Sequence, residues 1–554
     1  MFHLDLIFIS AIFLVSAVRA LQYPFRGDAP TDTRSYLKVS DGGEDDDWRF
    51  DETPPVNTTD HLVFETVSSL LQHWPNTRYR NGHTIVPGVV PLGTLLYHGT
   101  FQNVVPDHPE WLATDPEHSH AFCRGASGAS CWHLTLSVTR PLNILYFDGS
   151  SAAKMEGGPM DSQDVVAWGE FRTNSTFNER QRIVDLCVWG RQYSLDGFHI
   201  LTMFDSEVML CNFTEGVKVV SFLRLPDLTI VDRERLPTQA FRTFEMMNAG
   251  HWHDRFPGEG RVQLDLSRLI SFYDPELVPS LVAQRFGKER WDHRLLGTDA
   301  TDIAAVQNRL AEVLEYEHVK NSVDWRALIR VIVDRYAERL ELMQHFLHPS
   351  TATTETESVQ DTFERAEKVQ LQLRIMLTPY ILHSSFPSQE FASSMTKYAW
   401  ASPVFQECAT MHTAAIASDL MSTLTPSERL ILKSIQATSR EICRVAVRMW
   451  AEGVESGLDQ YLPAATQPFK VKEVTRIWKE DLTELMNWLD WNIWVKCRPA
   501  CGFEEMCYLP TWPIGFERRK RPEELSSQPE GSEDSEEWRR PQPKCIRRAE
   551  PYRF

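Results

Sequence analysis

The sequence predicts an α+β protein in which a mixed strand-and-helix domain over residues 61–232 is followed by a helical domain over 233–516. Three observations carry that prediction. Between residues 85 and 232, short β-type runs are separated by Gly, Pro and Asp. From about residue 235 the apolar residues recur with helical spacing. At the N-terminus, an apolar run and a small-residue site mark residues 1–20 as a segment outside the fold.

Residues 1–20 read as a signal peptide. The apolar core Leu6–Ala17 is followed by Val18-Arg19-Ala20, a small-residue cleavage pattern. That core is shorter than the ~20 apolar residues that a spanning helix needs. It departs from the usual pattern in carrying Asp5 and no Lys or Arg before the core. No other stretch is long and apolar enough to cross a membrane, so the chain is expected in the secretory-pathway lumen or secreted. Residues 21–60, with the acidic run Glu44–Asp47 and Pro54-Pro55, read as a disordered acidic leader.

Strands are expected at Thr94–His98, Cys131–Val138, Asn143–Phe147, Phe198–Met203, Val208–Cys211 and Val217–Leu223, with a shorter one before Thr114. A helix should begin at Pro116 with Asp115 as its N-cap. In the second half, Trp325, Leu328, Ile329, Ile332, Tyr336, Leu340, Met343 and Leu347 share one helical face. A second such face runs from Phe363 to Leu377 and stops before Pro379. Thr425-Pro426-Ser427-Glu428 has the spacing of a capping box and opens a third helix. A last helix carries Val474, Ile477, Leu485, Trp488 and Leu489. Residues 517–554 form a charged tail, including Arg518-Arg519-Lys520-Arg521, that is too polar to bury a core and is expected disordered. The basic run could also serve as a processing site.

A formal charge of −19 argues against nucleic-acid binding, which needs a basic surface. Ten cysteines, an even number, read as disulfides in an oxidising compartment. The favoured pairs are Cys123–Cys131 and Cys187–Cys211, each close in sequence, and Cys408–Cys443 could bridge two helices. Cys497, Cys501, Cys507 and Cys545 form a C-terminal group whose pairing stays open. That group lacks the CxxC spacing of a zinc site, and no metal is expected. Asn57, Asn174 and Asn212 head N-x-Ser/Thr sequons and are predicted glycosylation sites.

The chemistry-bearing residues concentrate between Leu92 and Leu223. In chain order they are Tyr97-His98-Gly99-Thr100, Leu112-Ala113-Thr114-Asp115-Pro116-Glu117, Arg140-Pro141-Leu142, Asp196-Gly197, Glu207-Val208-Met209-Leu210 and Val217-Lys218-Val219-Val220. This order resembles the ADP-ribosyltransferase-like superfamily in its His-Tyr-Glu branch. The resemblance covers about a quarter of the chain and does not extend to the helical half. It implies that NAD is a substrate and that its glycosidic bond is cleaved. Glu207 would stabilise the positive charge that builds on the ribose, and His98 would fix the pose of the bound dinucleotide. Phe122 would stack on nicotinamide, with Gly99, Thr100 and Thr114 beside the ligand. Asp205 would orient an acceptor, itself a protein or small molecule of unknown identity. One departure is plain: the family's Tyr is Phe122 here, which keeps the ring and loses the hydroxyl.

Two functions of different classes follow. The resemblance implies a mono-ADP-ribosyltransferase or NAD glycohydrolase; the alternative is a non-catalytic secreted interaction protein that keeps the fold. Two further groupings stand apart from the resemblance. His251 and His253 alternate as strand-borne metal ligands would, yet no third ligand follows, so a surface polar cluster is the better expectation. The polar segments Asp148–Ser151 and Asp161–Asp164 hold carboxylates of the type a glycosidase pairs. The chain has no GxSxG, HExxH or P-loop motif.

Overall fold

The computed structural model describes residues 48–123, 131–152, 157–202, 206–225, 245–315, 322–348, 358–382, 398–459, 468–509 and 540–548. The architecture is α+β. One sheet contains β1 (Thr84–Val90), β2 (Leu95–Thr100), β3 (Glu110–Ala113), β4 (Trp132–Val138), β5 (Leu142–Phe147), β6 (Gly197–Leu201), β7 (Ser206–Leu210) and β8 (Val217–Arg224). Two short strands, β9 (Gln263–Leu264) and β10 (Ile270–Ser271), join it through β1. The spatial order is β10-β1-β5-β6-β7-β3-β2-β4-β8.

Among the described residues, the one parallel pair is β5 with β6. A parallel pair needs a crossover, and α4 (Asp161–Trp168) and α5 (Glu179–Gly190) supply it. Every residue of β6 and β7 is buried, as expected for strands covered on both faces. On one face, Leu145, Phe147, Phe198, Ile200 and Met209 pack with Val165 and Val166 of α4, Ile183 and Leu186 of α5, and Val306 and Leu310 of the Ala300–Glu315 helix. On the other, Leu96, Leu112, Leu134, Leu136, Val208 and Leu210 belong to one core with Phe64 of α1 (Asp60–Ser69) and the long helices.

The predicted helical face from Trp325 to Leu347 forms a single helix, with Ile329, Ile332, Tyr336 and Met343 buried. The second helix spans Val359–Leu377. The capping box is present: Thr425 Oγ1 accepts from the Glu428 amide at 3.2 Å, and the Glu428 carboxylate accepts from the Thr425 amide at 2.9 Å. The helix it opens runs to Glu455, with Ile431, Ile435, Ile442, Val447 and Trp450 among its buried residues.

Three expected boundaries differ from the structure. The division at residue 232 does not separate two cores, because β9 and β10 follow it and the apolar face of the sheet is continuous with the helical core. The leader ends earlier than residue 60. Trp48 packs edge-on against Phe405 and Phe50 stacks on the same ring, so these two aromatics anchor the segment on the helices. The tail also contributes an element, since Lys544–Arg547 pairs antiparallel with Glu505–Tyr508. Composition averages over a segment, and one or two well-placed rings are enough to order its end. Residues 1–20, most of the leader and most of the tail lie outside the described residues. Among the described residues no helix is long and apolar enough to cross a membrane.

All ten cysteines are paired. Cys123–Cys131, Cys187–Cys211 and Cys408–Cys443 form as predicted, and the C-terminal group resolves into Cys497–Cys507 and Cys501–Cys545. Cys408 and Cys443 are fully buried and tie two helices across a sequence separation of 35 residues. Replacing both with Ala should cost about 3 kcal/mol of stability through the freed unfolded chain. A urea melt checks this; a loss below ~1 kcal/mol would contradict it.

Candidate functional site

The site begins where the sheet is interrupted. β2 pairs with β4 along its whole length, but it meets β3 at one position only, Tyr97 opposite Ala113. Beside that break the His98 side chain takes over from the ladder, with Nδ1 2.8 Å from the Trp111 carbonyl. A carbonyl only accepts, so Nδ1 carries the proton and Nε2 is left with its lone pair. Burial pushes the His98 pKa down, which keeps the ring neutral.

The chain then turns through α3 (Pro116–Ser119) and a 3-10 turn, His120–Cys123. Ser119 Oγ donates to the Pro116 carbonyl at 2.6 Å and lies 2.8 Å from His133 Nε2. This turn presses directly on β2: a Cβ at Gly99 would sit 2.2 Å from the Ser119 carbonyl oxygen. Gly99 is therefore required by packing. The Cys123–Cys131 disulfide fastens the end of the turn beside β4.

His118 and Phe122, four residues apart, project to the same side. His118 Nε2 donates to Glu207 Oε1 at 2.8 Å. The Phe122 ring is edge-on to His118 at 5.6 Å and tilted against His98 at 5.8 Å. His98, Phe122, His118 and Glu207 thus form one chain of contacts across the break in the sheet. Glu207 is the second residue of β7, opposite Ala113 on one side and Ile200 on the other. The cluster is tightly enclosed, with Glu207 8% and His98 6% exposed, while Phe122 is half-buried.

The other predicted positions divide. Thr114 is buried and bonds Ser206 through its hydroxyl at 2.8 Å and through its amide to the Ser206 carbonyl at 3.1 Å. It joins the ends of β3 and β7. Thr100 ends β2 next to the disulfide, where its hydroxyl accepts from the Gln102 amide. Asp205 lies outside the described residues. The sequon residues Asn57, Asn174 and Asn212 are all exposed.

The His251–His253 expectation is overturned. The segment is a 3-10 turn, and His253 is fully buried between two carboxylates, 2.8 Å from Asp115 and 3.0 Å from Glu259. Asp115 holds the N-cap position of α3 without capping it; its carboxylate accepts from His253 and Arg261 instead. The paired-carboxylate segments are also committed. Asp164 is held by Arg182 at 3.0 Å, Asp161 by Arg294 at 3.2 Å, and Asp148 accepts from the Thr84 amide at 2.7 Å.

Sequence reasoning missed His118, although its four-residue spacing from Phe122 in a predicted helix was a usable signal. It also missed Glu259 and Arg261, which come from a segment with no local pattern.

A family model described as the YPL277C N-terminal domain matches residues 56–131 and 126–232, the part of the chain that contains this site. Two Saccharomyces cerevisiae (strain ATCC 204508 / S288c) proteins are similar to the chain. Uncharacterized protein YOR389W is 24% identical over 551 residues, 82% of this chain and 82% of its own length. Uncharacterized protein YPL277C is 24% identical over 393 residues, 54% of this chain and 78% of its own. No solved structure matches.

Proposed function

We propose that this protein cleaves the nicotinamide–ribose bond of NAD, as a mono-ADP-ribosyltransferase or NAD glycohydrolase of the secretory pathway. The observation that carries the reading is the meeting of His98, Phe122 and Glu207, from three separate motifs, around one break in the sheet. Five disulfides fit the oxidising compartment that the N-terminal sequence predicts.

The residues present suit the substrate's parts. His98 offers a neutral nitrogen lone pair to a ribose hydroxyl. Phe122 offers a ring to the nicotinamide plane. Glu207 has one oxygen fixed by His118, and its second makes no hydrogen bond among the described residues. A carboxylate so held, in an enclosed site, stabilises positive charge without having to reorganise. The C–N bond breaks with its electron pair leaving on nicotinamide. Water or an acceptor nucleophile then adds to the ribose carbon and loses a proton.

Two observations favour the non-catalytic alternative: Phe122 lacks the family's hydroxyl, and Glu207 is nearly closed off. Incubating the full chain with NAD and measuring free nicotinamide decides between the two. Release of nicotinamide supports the enzyme. No release, together with no change in melting temperature on adding NAD, would leave the interaction protein as the reading.

A further inference from the structure

The segment His251–Arg261 lies beyond the residues that the family resemblance covers, yet it is built into the site. Arg261 is its hub. Its Nε and Nη2 donate to the two Glu259 oxygens at 2.7 Å each, and Nη1 donates to Asp115 Oδ1 at 3.0 Å and to the Thr114 carbonyl. Glu259 Oε2 in turn accepts from Ser206 Oγ at 3.1 Å. Ser206 is the neighbour of Glu207 in β7, and Asp115 begins the turn that delivers His118. One guanidinium therefore reaches both elements whose side chains meet in the His118–Glu207 hydrogen bond. Glu259, His253, Ser206 and Thr114 are all buried there. Gathering so many charges at one interior point is costly unless they are paired and hydrogen-bonded, as they are here.

The same segment is braced from outside the sheet. The Glu259 amide donates to the Leu71 carbonyl at 2.7 Å, and the Trp74 amide donates to the Asp254 carbonyl at 3.1 Å. Gly258, with φ +74°, brings the backbone so close to Leu71 that a Cβ would lie 2.4 Å from its carbonyl oxygen. Arg326, from the Trp325–Leu347 helix, donates to the Pro257 carbonyl at 3.1 Å, and Arg255 donates to the Val495 carbonyl. The helical half thus holds the segment that holds the site.

We propose that Arg261 is a positioning residue for Glu207, and that the helical half serves the site by bracing the His251–Arg261 segment. The inference rests on the NAD-cleaving reading for its catalytic consequence, but its geometric content is independent of that reading. Arg261→Gln removes the charge and the fork. Arg261→Lys keeps the charge and loses the bidentate geometry.

In the full chain, Arg261→Gln should lower kcat for nicotinamide release at least tenfold with KM for NAD within about twofold. Arg261→Lys should recover part of that loss. Amide hydrogen exchange should quicken in both variants over 110–119 and 206–210, and stay unchanged over the β1–β5 pair. Unchanged exchange at the β3–β7 ends would overturn the proposal whether or not the protein cleaves NAD. An unchanged kcat, or a loss confined to KM, in an active wild type would overturn its catalytic part. A wild type that releases no nicotinamide but shows the local exchange response removes the NAD reading and leaves the positioning role standing.

Discussion

Acidification from pH 7.5 to 5.5 is expected to destabilise this protein steeply. The cause is a set of imidazoles buried in the neutral form. Burial pushes His61 down to about 3 and His199 and His293 to about 4, and holds His73 and His83 well below the ordinary histidine value. His199 shows the reason most clearly: it is fully buried, and neither ring nitrogen has a hydrogen-bond partner among the described residues. In the unfolded chain the same rings titrate near 6.5. A base with a depressed native pKa contributes stability above the unfolded pKa and loses it as pH falls towards the native one.

Two carboxylates act in the opposite sense. Burial raises Glu65 and Asp148 to about 7, so their contribution is complete in acid and lost as pH rises through neutrality. Smaller shifts partly offset one another, downward at His98 and His133 and upward at Asp161 and Asp254. The five histidines outnumber the two strongly shifted carboxylates, so near pH 5.5 the unfolded chain binds roughly two to three more protons than the fold. At about 1.4 kcal/mol per proton and pH unit, the slope is on the order of 3 kcal/mol per pH unit. Below about pH 4 a second loss begins. Burial opposes ionisation of Asp115 and Glu259, but hydrogen bonds from His253 and Arg261 outweigh it, holding Asp115 at about 2 and Glu259 well below the usual range. Thermal melts between pH 8 and 5 test this. A melting temperature that is flat or rises on acidification would refute it, and His199→Phe should reduce the slope by about one proton.

Much of the fold was legible because its signals are local. The strand expected at Thr94–His98 forms, though it continues through Gly99 to Thr100 instead of turning there, and the capping box at Thr425 and Glu428 starts its helix where it should. Two disulfides followed from closeness in sequence, and a third was read as a bridge between two helices. The site was half legible: His98, Phe122 and Glu207 carried motif signals, and their meeting required only that the motif-bearing strands be adjacent. What was hidden depends on distant contacts. Asp115 looked like a helix cap because its local sequence fits one; only the arrival of Arg261, 146 residues later, diverts its carboxylate. His253 looked like a surface residue for the same reason, since nothing within a few residues shows that it is enclosed by Asp115 and Glu259. The segment 48–60 looked solvated because its composition is polar, while Trp48 and Phe50 supply the anchor.

If the protein cleaves NAD as proposed, replacing Glu207 with Gln should nearly stop nicotinamide release while leaving the fold nearly untouched. The amide has the shape of the carboxylate, and its Oε1 can still accept from His118 Nε2, so the 2.8 Å contact that closes the cluster survives. What disappears is the negative charge. In an enclosed site that charge acts on the ribose with little screening, and deleting such a group typically lowers turnover by ~10²–10³ or more. The loss belongs in kcat, because charge on the ribose develops only as the bond breaks. His98→Ala makes the contrast. His98 would bond a ribose hydroxyl that is already present in the ground state, so its removal should raise KM for NAD several-fold and lower kcat less than Glu207→Gln does. Kinetics on the two variants, with melting temperatures within about 3 °C of wild type, check the assignment. Equal turnover in wild type and Glu207→Gln would remove Glu207 from the reaction, and a larger kcat loss in His98→Ala than in Glu207→Gln would exchange their roles.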